Sequence, residues 1–106
     1  MKTPIFEILT WRSKPNVSDI TMANVMNEFG QTVEKLPGFL HQALYKNAPQ
    51  EWLCIYYWQT EQNAHDSNDA VANEPSFHAL MSLIEEGSVT MNVLPALQSQ
   101  GQLGFQ

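Results

Sequence analysis

Basic residues are scarce in this chain: Lys and Arg number 5 against 11 Asp and Glu, for a formal net charge of -6. A groove that tracks phosphates needs the opposite sign, so no nucleic-acid partner is expected. The acidic residues are scattered and build no acidic tail, as on an ordinary solvated surface. Cysteine is nearly absent too. Cys54 stands alone, which rules out a disulfide within the chain and any zinc-type cysteine spacing. That usage suits a reducing, intracellular setting. No apolar run approaches the roughly 20 residues of a membrane-spanning helix, so no membrane partner is expected. The opening stretch MKTPIFEILTWRSK has no signal-peptide core followed by small residues, and the expected location is the cytoplasm. The usual catalytic signatures are missing, and there is no internal repeat.

What is present is the composition of a folded domain. Of the 106 residues, 43% are hydrophobic, which is ordinary for one globular domain and argues against disorder. The stretch from Pro37 to Thr60, PGFLHQALYKNAPQEWLCIYYWQT, carries most of the pattern. It predicts a strand over Phe39 to Lys46, a hairpin loop over Asn47 to Glu51 and a strand over Trp52 to Thr60. Period-2 geometry sets Trp52, Cys54, Tyr56 and Trp58 on one face and Leu53, Ile55 and Tyr57 on the other. Both faces are apolar, so this strand should be covered on both sides.

The flanking segments complete an order. Ile5 to Trp11 reads as a strand interrupted by Glu7 and Thr10. A helix should start near Ser18 or Asp19 and show a stripe of Met22, Val25, Met26, Phe29, Val33 and Leu36. Pro37-Gly38 should end it. A second helical region runs from Glu61 to Asn73, then restarts at Pro75, buries Phe77, Leu80, Met81 and Ile84, and should stop at Gly87. Ser88 to Leu94 predicts a last strand. Residues 1–97 therefore form the domain, and residues 98–106 a polar tail that is expected to move or to dock on a partner.

The order β-α-β-β-α-β is the ferredoxin-like pattern, an α+β fold. Right-handed crossovers put both helices on one face of a four-stranded antiparallel sheet. The other face would leave Leu53, Ile55 and Tyr57 wet in a monomer, and the simplest cover is the sheet of a second copy, giving a homodimer.

The chain at this point resembles the dimeric α+β barrel superfamily, and within it the antibiotic-biosynthesis-monooxygenase type of domain. The resemblance rests on the PGF of Pro37 to Phe39, on Trp52 and Trp58 followed by polar residues and a helix, and on SVTMNVL at Ser88 to Leu94. It implies a homodimeric barrel with a ligand cavity between sheet and helices in each subunit. It also implies oxygenase chemistry on a small aromatic or quinol-like compound. Some members need no metal or flavin, because the substrate anion itself reacts with oxygen and the protein orients it and stabilises charge. No cofactor and no metal are expected here. Of the pocket residues of the polyketide-type members, Trp58 matches. The asparagine position falls on Cys54, a tyrosine position near Ala64 and an arginine position near Met81. The pattern of haem-degrading members does not fit: Ile5 to Trp11 holds no asparagine, and the tryptophan and histidine positions fall near Ser67 and Met81.

The candidate substrate-binding set is Trp58, Tyr56, Cys54, Met81 and His78. Trp58 either stacks on a flat substrate or plugs the core, and Tyr56 either donates to a bound carbonyl or bonds internally. Cys54, among bulky apolar neighbours, should be an inert thiol. His78 follows the striped Phe77 and should face solvent or the helix edge; it is the basic side chain nearest Met81 and could stand in for the arginine after a small register shift. His65 can pair with Asp69 at i,i+4. Glu7, Gln42 and Asn92 are polar residues in apolar strands and need partners, across the sheet or in a dimer interface. No residue stands out as a proton acceptor. The two functions these residues admit are a cofactor-independent monooxygenase, or a non-catalytic small-ligand-binding or structural dimeric module of the same fold.

Overall fold

The computed structural model describes residues 3–103. Seven elements follow in chain order: β1 (Ile5–Arg12), α1 (Asp19–Val33), β2 (Phe39–Ala48), β3 (Glu51–Trp58), α2 (Glu61–Val71), α3 (Pro75–Met81) and β4 (Thr90–Leu94). The strands form one antiparallel sheet in the order β2-β3-β1-β4. This is the α+β, ferredoxin-like arrangement that the sequence order predicts.

Local chemistry explains most boundaries. Ser18 caps α1 by accepting the Thr21 N–H at 3.1 Å, and Thr60 caps α2 by accepting the Asn63 N–H at 3.0 Å; a hydroxyl at this position satisfies one of the free N–H groups of the first turn. Because Thr60 is a cap, β3 ends at Trp58, two residues short of the expectation. The β2–β3 turn is also tighter than the expected loop. Pro49 and Gln50 alone make it, with Gln50 at φ 64, and a register shift between Lys46 and Ala48 absorbs the extra residue. The second helix stops at Val71 rather than Asn73. Its successor, α3, stops at Met81 rather than at Gly87, because Ser13 and Ile84 form a bridge and the Glu85 N–H donates to the Arg12 carbonyl at 2.8 Å. This chain segment is drawn into pairing with the end of β1. Ser88 lies outside β4 because its hydroxyl accepts the Arg12 N–H at 3.1 Å, in place of a ladder bond.

The alternation along β3 holds. Trp52, Cys54, Tyr56 and Trp58 are buried and join a core cluster with Met22, Met26, Phe29 and Val33 of α1, Ala64 and Val71 of α2, and Leu80 of α3. From β1 the same face takes Ile5, Glu7, Leu9 and Trp11, which pair in register with Trp58, Tyr56, Cys54 and Trp52. The outward set Leu53, Ile55 and Tyr57 is half-buried and lies outside that cluster. Beyond β4, Pro95, Ala96 and Leu103 share a groove with Phe6 and Tyr57 on this outward side. Residues 104–106 of the expected tail lie outside the described residues. Among the described residues no helix is long and apolar enough to cross a membrane.

Gly30, in the middle of α1, shows why a glycine sits there at a propensity cost. A Cβ on it would lie 3.0 Å from Nε2 of Gln42, whose amide donates to the Met26 carbonyl at 3.3 Å. The Gln42 amide N–H thus finds its partner on the helix backbone rather than across the sheet, while its Oε1 is buried without a partner among the described residues. The helix approaches the sheet closely at that point.

Candidate functional site

A cavity of about 250 Å³ lies between the sheet and the three helices. Its walls are apolar: Leu9 and Trp11 from β1, Met26, Phe29 and Val33 from α1, Val71 from α2, Phe77 and Leu80 from α3. Met81, Val89 and Met91 also line it and are among the exposed large hydrophobic residues, so they form its mouth. Small-molecule pockets typically run to roughly 300–1,000 Å³; this one is at the small end and suits a compact, flat molecule.

One carboxyl faces this apolar space. Glu7 is 2% exposed and lines the cavity. Its Oε1 accepts the Trp58 Nε1–H at 2.8 Å, while its Oε2 accepts no hydrogen bond among the described residues. Burial pushes the Glu7 carboxyl above its ordinary value, against the smaller downward pulls of the Trp58 hydrogen bond and the His65 imidazole. Trp58 is held in turn by its rings: it meets Phe39 edge-on at 5.9 Å and stacks on Tyr56 at 5.9 Å. The donor and the carboxyl are therefore fixed by two adjacent strands.

Beside them, Cys54 and Tyr56 are protonated at neutral pH. Burial pushes the Cys54 thiol up to about 12, with the Glu7 charge adding to it and a hydrogen bond from Tyr56 opposing it. Burial also raises the Tyr56 phenol well above its ordinary value, and the neighbouring Cys54 and Glu7 raise it further. Neither group is a nucleophile in this environment. The cavity also holds Ser67, whose hydroxyl donates to the Ala64 carbonyl at 2.6 Å, and Asn68. The Trp11 indole N–H is buried without a partner. No group of three His, Cys, Asp or Glu able to hold a metal occurs among the described residues.

The raised Glu7 value has a consequence for stability. The folded chain keeps the Glu7 proton to higher pH than the unfolded chain does. Between the two values the folded state binds more protons, so stability falls as pH rises. This contribution is complete below the ordinary glutamate value and is lost as pH rises through the raised one. Glu7→Gln keeps an acceptor for Trp58 but cannot ionise. Urea midpoints measured between about pH 4 and pH 8 should show the variant gaining on the parent as pH rises. A difference independent of pH would count against a shifted Glu7.

The structure brings four of the five sequence-derived candidates together: Trp58, Tyr56, Cys54 and Met81 all line the cavity. His78 is not with them. It sits exposed on α3, edge-on to Phe77 at 6.0 Å, and does not line the cavity. His65 pairs with Glu61 at 3.3 Å, in place of the expected Asp69. Glu7 was legible as a polar residue in need of a partner, and the partner is across the sheet. Its place in the cavity was available from parity: it is in phase with Ile5, Leu9 and Trp11, the set that faces the helices.

No protein-family model matches this sequence, and no curated protein matches it. Solved structures do. One is a point variant of SnoaB, a cofactor-independent oxygenase from Streptomyces nogalater, at 13% identity over 93% of this chain and 98% of that one, with a TM-score of 0.76. Another, from Nitrosomonas europaea and provisionally named an antibiotic biosynthesis monooxygenase, is 11% identical over 95% and 97% of the two chains, with a TM-score of 0.73. Rv0793 from Mycobacterium tuberculosis is 13% identical over 93% and 100%, with a TM-score of 0.70. The chain has the fold of the antibiotic biosynthesis monooxygenase-like proteins.

Proposed function

We propose that this protein is a cofactor-independent monooxygenase that acts on a small aromatic or quinol-like compound. The observation that carries this reading is the apolar cavity with a single carboxyl turned into it. An electron-rich aromatic anion reacts with oxygen without help from a metal or flavin, provided that it is held in place and shielded from water. For an anthrone-like methylene the balance is simple. One atom of O₂ becomes the new ring carbonyl, and the other leaves as water with the two methylene hydrogens. Trp58 and Tyr56 supply a stacked aromatic wall, and Phe29, Phe77 and Leu80 exclude water from the opposite side. A second copy packed on Leu53, Ile55 and Tyr57 would complete a homodimeric barrel, and the cytoplasm is the setting we assign.

The second reading is a binding protein of the same fold without turnover. It is favoured by the side chains at the positions where the polyketide-type pocket is polar: Cys54, Ala64 and Met81. Oxygen uptake separates the two. Metal-stripped protein with a panel of quinols and anthrones is expected to consume oxygen faster than autoxidation alone. Met81→Trp changes an exposed residue at the mouth and should lower kcat/KM by about tenfold or more while the fold stays intact. Aromatic binding without any uptake would select the second reading.

A further inference from the structure

Glu7 is an odd residue to find in an apolar core. A buried carboxylate without a cation is costly to keep ionised. A glutamine of the same shape would accept the Trp58 N–H equally well, so packing alone does not call for the acid. The groups that face Glu7 can be named from every side. β3 presents the Trp58 indole, Tyr56 and Cys54, and α2 presents Ser67 and Asn68, which line the same cavity, and the His65 imidazole at longer range. The cavity walls from α1, α3 and β4 present only apolar side chains: Met26, Phe29 and Val33, Phe77, Leu80 and Met81, and Met91. No lysine or arginine lines the cavity. Trp58 occupies Oε1 and leaves Oε2 for whatever enters.

We propose that the Glu7 Oε2 takes the proton of a ring hydroxyl on a neutral, planar hydroxyaryl substrate, with Trp58 as the residue that positions the carboxylate. This deepens the oxygenase reading above and rests on it for turnover. The step moves one proton and no electrons: the hydroxyl O–H bond breaks, an O–H bond forms on Glu7, and the aryl oxide remains in the cavity for reaction with oxygen. A general base works best when its basicity approaches that of the acid it serves, and burial moves Glu7 in that direction. The same geometry excludes other ligands. An aromatic carboxylate would face Glu7 with no cation between them. An aromatic amine is neutral near pH 7 and has no proton acidic enough for a carboxylate to take.

The test uses the whole chain and two readouts. The first is binding of 2-naphthol, naphthalene and 2-naphthylamine, followed by ligand fluorescence, with loss of the hydroxyl proton in the ground state read from the red-shifted naphtholate absorbance. The parent protein is expected to bind 2-naphthol about tenfold or more tighter than naphthalene, and Glu7→Gln is expected to erase that margin. The second is oxygen uptake with a quinol or with an anthrone, whose enol form, the anthranol, carries the ring hydroxyl. There Glu7→Gln should lower kcat by about 10²–10⁴-fold with little change in KM, and should remove the rise of kcat/KM with pH. If Glu7→Gln fails to fold, Glu7→Asp, which withdraws the carboxylate by one methylene, should shift both readouts the same way. Uptake by the parent that Glu7→Gln retains, pH profile included, would overturn the role of Glu7 and leave the oxygenase reading standing. Absence of uptake with a naphthol margin that depends on Glu7 would overturn the oxygenase reading and leave hydroxyl recognition standing. Equal affinity for naphthol and naphthalene, or a preference for naphthylamine, would overturn the proposal.

Discussion

Trp58→Ala is expected to lower stability by about 3–5 kcal/mol, the range for removing a large buried aromatic side chain. Trp58 is 1% exposed and is the largest of the fully buried side chains among the described residues. Its ring holds Phe39 edge-on and Tyr56 in a stack, so deletion loosens both neighbours. The deleted volume merges with the cavity that Trp58 lines, so the void it leaves adds to the loss. A second loss comes from Glu7, which forfeits the hydrogen bond to Oε1 and becomes a buried carboxyl with no donor. Urea denaturation of four proteins separates the two contributions: the parent, Trp58→Ala, Glu7→Leu and the double variant. If the bond matters, Trp58→Ala costs less in the Glu7→Leu background, since no carboxyl is left to strand. Equal costs in both backgrounds would assign the whole effect to packing. Trp58→Phe should fall between the parent and the alanine variant.

How far the sequence alone reveals this arrangement depends on how local the cause is. The parity of Trp52, Cys54, Tyr56 and Trp58 is a backbone property, and the structure buries all four on one face. The α1 stripe is equally local, and Met22, Met26, Phe29 and Val33 are its buried members. Boundaries set by tertiary pairing were not legible. Gly87 looked like a helix stop, but Ser13 and Arg12 had already taken the chain at Ile84 and Glu85. The site divides in the same way. Tyr56 and Trp58 were readable as one aromatic face, and His78, next to the striped Phe77, was readable as outward-facing and is exposed; the register shift that would bring it to the cavity does not occur. Glu7 required two facts at once: its parity in β1, and the pairing of β1 with β3 that sets Trp58 within reach. Only the first of these can be seen without the fold.

Gly38→Ala is expected to cost about 2–4 kcal/mol, a large effect for one added methyl group. Gly38 has φ +79, a region that costs a residue with a Cβ roughly 1–3 kcal/mol. A Cβ there would also lie 2.1 Å from Oδ1 of Asn63, so Asn63 must move. Asn63 is tied to the start of α2: its Oδ1 accepts the Thr60 hydroxyl at 2.7 Å, and its N–H is the one that Thr60 caps. Losing such a cap costs about 0.5–2 kcal/mol. Gly87→Ala is the internal control, since Gly87 has φ +80 with nothing within 4 Å of its added Cβ. It should cost only the backbone share. Urea midpoints for both variants decide the matter, and equal losses would show that the Asn63 contact is unimportant. The PGF segment thus acts through α2, which carries Ser67, Asn68 and Val71 to the cavity wall. Displacing Asn63 should loosen that wall, so Gly38→Ala should weaken naphthol binding in the fraction that stays folded, while Gly87→Ala leaves it unchanged.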